Sequence, residues 1–179
     1  YTQWYTLSLH DALPISLVMG KCDSEPPVFV NTVKVQSAKD MYDAVIERAD
    51  SMDIIVKAAA VADYRPKNVS SEKVKKQDGN MSIELERTDD ILKTLGERKN
   101  GQFICGFSME TENMLENSRK KLEKKNCDMI VANNLKQDGA GFGGNTNIVT
   151  LITKDDEVQL EKMTKDEVAE KIFDFILSR

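Results

Sequence analysis

The run AAAVADYRP, from Ala58 to Pro66, and the cluster EKVKK, from Glu72 to Lys76, hold the side chains best suited to chemistry in this chain. The apolar stretch Ile54-Ile55-Val56 feeds a string of alanines, small enough to let backbone and ligand approach closely. A carboxylate (Asp63), a cation (Arg65) and the helix-refusing Pro66 follow, then the cations Lys73, Lys75 and Lys76. Such groups at the carboxyl end of a strand suit an anionic, nucleotide-like ligand.

Two further segments fit the same rule. Gly106-Phe107 ends one predicted strand, and Ala132-Asn133-Asn134 ends another. Each has a structural reading too: small residues pack closely, Phe107 serves as core, and Asn133 and Asn134 form turns. Their coincidence on one edge of a parallel sheet favours a site. A helix predicted from Thr111 to Lys125 starts beside Phe107, so its amide end could help to hold an anion. Lys121 and Lys125 share a face of that helix, where Glu123 and Lys124 also fit an ordinary solvated face.

Elements that position these residues alternate along the chain. Leu17–Met19 ends a strand at Gly20, and Pro26-Pro27 precedes the β-branched run Val28–Val35. Ser37 with Asp40 opens a helix to about Asp50. Asp53–Ala58 is a buried strand, and Ser82–Arg87 alternates as an edge strand. Asp89 or Asp90 caps a short helix through Leu95. Gln102–Phe107 and Cys127–Ala132 are strands, with the Thr111–Lys125 helix between them. After a glycine-rich loop, Asp138–Asn145, a hairpin joins Asn147–Thr153 to Glu157–Leu160. Thr164 with Glu167 opens a final helix carrying Val168, Ile172, Phe175 and Ile176 inward. The class is α/β: a Rossmann-like, largely parallel sheet with helices on both faces, plus a C-terminal β-hairpin.

With 179 residues, 40% hydrophobic and 31% charged, the chain can build one domain with its own core. A net charge of −5 excludes a general nucleic-acid or membrane-surface binder, which needs a basic face. Cys22, Cys105 and Cys127 lie in no metal spacing and read as reduced thiols of a cytoplasmic protein. The single His10 leaves no His-based metal site or triad, and no segment approaches the roughly 20 apolar residues that span a membrane. Residues 1–16 carry no helical or strand period that continues past Leu17, and SLHDALPIS resembles a sequencing adaptor translated in frame. Residues 1–16 are therefore read as a non-native segment and 17–179 as the domain. On that reading Trp4 and His10 have no role.

Several motifs occur together in the order seen in phosphopantothenoylcysteine synthetase, the ligase half of the bifunctional bacterial coenzyme A biosynthesis protein. They are AAAVADYRP, EKVKK, TDDIL (Thr88–Leu92), GFSMET (Gly106–Thr111), the Lys121/Lys125 pair, CDMIVANN (Cys127–Asn134) and GAGFGGNTNIVTLI (Gly139–Ile152). The resemblance covers nearly all of Leu17–Arg179. It implies a ligase that joins 4′-phosphopantothenate to cysteine, using CTP rather than ATP, with Mg²⁺. The carboxylate attacks the α-phosphate to give an acyl-cytidylate and pyrophosphate; the cysteine amine then attacks the acyl carbon and releases CMP. Cations offset the charge on the phosphates.

By the same resemblance, Lys73 is the catalytic lysine of the nucleotide step. Ala59 and Ala60 lie beside the base, Asp63 contacts the nucleotide, and Asp89, Asp90, Ile91 and Leu92 form a nucleotide-binding stretch. Asp89 stands where many relatives have proline. Phe107 packs on the base, and Lys121 and Lys125 contact nucleotide or phosphate. No metal ligands are assigned, and Lys57 has no family counterpart. The family's glycine-rich first strand and its Arg/Asn segment have no match here. A strand, a crossover helix and part of the second half-reaction's machinery are thus expected to be missing, and the fragment to be inactive. A homodimer through residues 145–160 is also implied. Two rival readings are a Rossmann-like NAD(P)-binding oxidoreductase and a non-catalytic nucleotide-binding relative. GAGFGG (Gly139–Gly144) precedes a hairpin rather than a helix, which counts against the first.

Overall fold

The computed structural model describes residues 15–22, 25–75, 79–110, 112–134 and 144–179. Strand β1 (Ser16–Met19) pairs in parallel with β2 (Asn31–Lys34). Helix α1 (Ala38–Ala49) then leads to β3 (Ile54–Lys57). Its capping box forms as expected: Asp40 N donates to Ser37 Oγ at 3.1 Å, and Ser37 N donates to Asp40 Oδ2 at 2.9 Å. Strands β4 (Tyr64–Pro66) and β5 (Leu85–Arg87) form an antiparallel arm after β3. Helix α2 (Ile91–Arg98), β6 (Phe103–Glu110), α3 (Met114–Lys124) and β7 (Met129–Asn134) complete the alternation. The chain ends with β8 (Thr146–Asn147), β9 (Val149–Ile152), β10 (Glu157–Gln159), β11 (Met163–Thr164) and α4 (Lys165–Leu177).

The central sheet has the order β10-β9-β7-β6-β3, with β3, β6 and β7 parallel and the last two strands antiparallel. Period-two alternation splits its core into two layers. Ile104, Ile130 and Ala132 face α1, α2 and α3, while Cys105, Met129 and Val131 face α4 through Val168, Ile172 and Ile176. The α/β expectation, with helices on both faces, therefore holds.

Several local expectations need correction. Val28–Val30 turns rather than extends, so β2 is only four residues long. Likewise, only Leu85–Arg87 of the Ser82–Arg87 run is strand, because its partner β4 is three residues long and ends at Pro66. Helix α3 is capped at Asn113, in the left-handed region (φ 49°) and without a side-chain cap bond; Thr111 lies outside the described residues. Strand β6 runs three residues beyond Phe107, because β7 stays in register as far as Glu110↔Asn134. Of the expected hairpin, β9 is fully buried and pairs with β7, so it packs within its own sheet. The edge is β10, which is exposed. Most of the glycine-rich 138–145 loop, and His10 and Trp4, lie outside the described residues.

Candidate functional site

Several of the expected site residues lie beside the carboxyl end of β3 and the middle of β6, with Asp90 at the start of α2 and Lys121 and Lys125 reaching from the end of α3. Asp90 is the N-cap of α2, and its Oδ1 accepts from Lys93 N at 2.9 Å. Its Oδ2 accepts from Lys125 Nζ, which ties the start of α2 to the end of α3. Burial acts to raise the pKa of the Asp90 carboxyl. The Lys125 and Lys93 hydrogen bonds and the Lys125 and Lys57 charges outweigh it and hold the group below the usual carboxylate range. Ile91 and Leu92 are 2% and 4% exposed, so their side chains are core and only their backbone can meet a ligand. Asp89 is exposed beside them.

Lys121 Nζ donates to the Phe107 carbonyl at 2.8 Å, which brings Lys121 over the sheet edge. The Phe107 side chain is half-buried against the layer beneath α4. Lys57 ends β3 opposite Gly106 and donates from Nζ to the Ala59 carbonyl at 2.9 Å. Burial first, and then the Lys121 charge, push its pKa below the ordinary lysine value. Gly106 is needed here for packing: a Cβ would lie 2.7 Å from Leu92 Cδ2.

Ala59, Ala60 and Asp63 are exposed on the loop that leaves β3. Thr88 N donates to the Asp63 carbonyl at 3.0 Å, and Thr88 Oγ1 to the Ala62 carbonyl at 2.6 Å, so the loop is held against the end of β5. Arg65 pairs with Glu86 at 2.7 Å and Lys67 with Glu84 at 2.7 Å across the arm, so Arg65 is neutralised rather than presented to a ligand. Lys73 is exposed beyond the arm's first strand, after a turn in which Ser70 Oγ donates to the Glu72 carbonyl at 2.8 Å. The same arm exposes Val69, Val74, Met81 and Ile83. Lys76 lies outside the described residues.

The structure thus gathers Asp90, Lys121, Lys125 and the Phe107 backbone into one charged cluster, with Asp63 near enough to act on Lys57. Lys73 is exposed on the arm between β4 and β5. Two residues were missed or misread in the sequence. Lys57 joins the cluster, and its signal was a lone cation at the end of an apolar strand. Asn133, expected as a turn former, lies inside β7 at 8% exposure, and its Oδ1 has no hydrogen-bond partner among the described residues. Among the described residues no three His, Cys, Asp or Glu side chains converge on a metal position. Those residues therefore offer no cage of their own for Mg²⁺, an ion that proteins commonly hold through substrate phosphates.

The family described as DNA/pantothenate metabolism flavoprotein C-terminal domain matches residues 10–179. Over 142 residues, 79% of this chain and 34% of the relative, the sequence is 51% identical to the coenzyme A biosynthesis bifunctional protein CoaBC of Bacillus subtilis (strain 168). It is 41% identical over 167 residues, 92% of this chain and 46% of the relative, to a cysteine/cysteine sulfinic acid decarboxylase of an unknown prokaryotic organism. The chain thus spans less than half the length of either relative. The crystal structure of the C-terminal domain of a CoaBC protein superposes with a TM-score of 0.76 at 45% identity, covering 91% of this chain and 72% of that one.

Proposed function

This chain belongs to the DNA/pantothenate metabolism flavoprotein C-terminal domain family and is of the phosphopantothenoylcysteine synthetase kind, and on that premise we propose that it serves as the ligase unit of coenzyme A biosynthesis. The proposed substrates are 4′-phosphopantothenate, cysteine and CTP. The observation that carries the reading is the cluster of Lys121, Lys125 and Asp90 beside the carboxyl end of the parallel strand β3, the kind of place where α/β folds bind nucleotides.

In the first step the phosphopantothenate carboxylate attacks the α-phosphate of CTP, and pyrophosphate leaves. Lys121 and Lys125 hold the nucleotide beside the Phe107 backbone; the expected stacking of Phe107 on the base finds no support in its side chain, which packs on the α4 face of the sheet. Asp63 and the backbone at Ala59, Ala60, Asp89, Asp90, Ile91 and Leu92 complete its contacts. Lys73, on the exposed arm, swings its charge onto the phosphates as negative charge develops there. In the second step the cysteine amine attacks the acyl carbon and CMP leaves. Bound through the triphosphate oxygens rather than by an assigned side-chain cage, Mg²⁺ would offset charge on the phosphates alongside Lys121 and Lys125. A homodimer through residues 145–160 is part of the reading, and the exposed β10 edge is the element available for it.

Within the described residues β3 is paired on one side only, by β6. The 179-residue chain alone is therefore expected to bind nucleotide weakly and form no product. The test supplies the full-length natural polypeptide with phosphopantothenate, cysteine, Mg²⁺ and either CTP or ATP. Pyrophosphate and CMP released with CTP, and lost in Lys73→Ala, are the expected result. No pyrophosphate from either nucleotide overturns the ligase reading.

A further inference from the structure

We propose that Lys57 and Lys121 together form a two-cation site that takes a phosphate group of a polyphosphate at the carboxyl end of β3, beside the middle of β6. The proposal deepens the nucleotide reading and rests on it for the natural source of that phosphate.

The placement comes from strand register. Lys57 is the last residue of β3 and sits opposite Gly106, while Lys121 reaches from α3 to the carbonyl of the next residue, Phe107. Two ammonium groups thus lie where β3 ends and its neighbour β6 continues. Their hydrogen bonds go to backbone carbonyls, Ala59 for Lys57 and Phe107 for Lys121, and to no carboxylate among the described residues.

Three other half-buried cations here are paired with carboxylates. Lys99 has Asp128 at 2.6 Å, Arg48 has Glu47 at 2.8 Å, and Lys125 has Asp90. A buried charge is costly unless it is paired. A chain with more carboxylates than cations has matched these and left Lys57 and Lys121 to repel each other. The groups facing Lys57 are Lys121 and Lys125 from α3, Asp90 from the α2 cap and Asp63 from the loop. The two carboxylates attract it at a distance and do not bond to it. An anion placed between the two lysines would relieve the repulsion and supply the missing charge-assisted hydrogen bonds.

A purely structural role is the competing account: Lys57 could simply hold the Ala59 carbonyl and so order the alanine turn. That role needs a donor, not a charge at the sheet edge, and it predicts no dependence of anion affinity on the protonation of Lys57. The two-cation site does. Burial and Lys121 lower the Lys57 pKa, so the ammonium is lost at a lower pH than in an ordinary lysine. Anion affinity should fall as pH rises through that lowered value, and anion binding should draw a proton onto Lys57.

The experiment measures binding of inorganic tripolyphosphate to the 179-residue chain by calorimetry, across pH, with CTP in parallel. Lys57→Met is expected to weaken tripolyphosphate binding about tenfold, the order of one lost charge-assisted bond, while Lys57→Arg stays within about threefold. Lys171→Met, on the exposed face of α4, serves as the control and should change nothing. The alkaline fall in affinity should disappear in Lys57→Met. Thermal melts guard against misfolding, since replacing a half-buried cation by an apolar side chain should not lower Tm. Binding in Lys57→Met within about twofold of the original chain overturns the proposal, as does a failure of the original chain to bind tripolyphosphate. The ligase reading fails separately: it falls if the full-length polypeptide makes no product, even where the Lys57 effect on tripolyphosphate is as expected.

Discussion

Gly96→Ala is the substitution whose effect can be worked most directly from the packing. Gly96 lies inside α2 and is buried where that helix crosses the end of α3. A Cβ built there would overlap the Lys125 carbonyl oxygen, lie 2.8 Å from the Lys125 carbonyl carbon and 3.1 Å from Asn126 Cβ. The first two are backbone atoms and cannot swing away, so the helices must separate. Overpacking of this kind costs about 3 kcal/mol, the upper end of the usual range. Separation also breaks the bond from Asn126 Nδ2 to the Gly96 carbonyl, 2.9 Å long, which contributes about 1 kcal/mol. Alanine's better helix propensity returns about 1 kcal/mol. The net loss is about 3 kcal/mol, which for a domain of this size lowers Tm by roughly 6–12 °C. Gly101→Ala is the internal reference. Gly101 has φ +92° and nothing within 4 Å of a Cβ, so only backbone strain of about 1 kcal/mol applies. Circular-dichroism melts of both variants give the comparison. Since Lys125 is carried by the displaced backbone, Gly96→Ala should also weaken CTP binding well below its Tm. A Gly96→Ala melt equal to or above that of Gly101→Ala would refute the reasoning.

Three further outcomes are expected. Asp128 accepts from Ile104 N at 2.7 Å and from Lys99 Nζ at 2.6 Å. Asp128→Ala strands a buried amide and should cost about 2 kcal/mol in urea unfolding, whereas Asp128→Asn, which keeps one acceptor, should cost less. Burial raises the Cys127 pKa to about 12 and pushes Cys105 up further, while Cys22 is exposed. A thiol reagent at about pH 8 should therefore modify Cys22 in the folded chain and reach the other two only on unfolding, as mass spectrometry of digested peptides will show. The Asp90 carboxyl is held below its ordinary value, so its stabilising contribution is full above the unfolded carboxylate pKa and is lost as pH falls through the lower folded value. Asp90→Asn should flatten the acid limb of a stability–pH profile below about pH 4 and leave its alkaline limb alone.

Elements were legible in the sequence wherever local chemistry decides them. The Ser37/Asp40 and Thr164/Glu167 boxes form because capping is a contact over three residues. Ile54–Lys57 and Met129–Asn134 extend because apolar runs of that length have few alternatives inside a covered sheet. Boundaries failed where pairing across the sheet decides. Nothing local to Ser108-Met109-Glu110 says that β6 continues; Ala132, Asn133 and Asn134 on β7 hold it extended. Asn133 looked like a turn for the same reason, as a residue type common in turns that register kept inside a strand. Asn113 took the cap of α3 through a left-handed backbone, which asparagine tolerates better than most residues, and without a side-chain cap bond.

The candidate site divides along the same line. Lys121 and Lys125 could be placed on one helix face by spacing alone, but their partners could not. Lys125 meets Asp90 only because Gly96 lets α3 end against the flank of α2, and Lys121 meets the Phe107 carbonyl only because β6 lies beneath α3. The crossing at Gly96 therefore sets more than stability. It fixes which lysine is neutralised and which remains charged at the sheet edge: Lys125 is paired with Asp90, and Lys121 is left facing Lys57. Had the helices crossed farther apart, Asp90 would cap α2 without reaching α3, and three unpaired cations would crowd one strand edge. One carboxylate placed by one glycine leaves Lys57 and Lys121 unmatched, and those two form the pair proposed to take a phosphate.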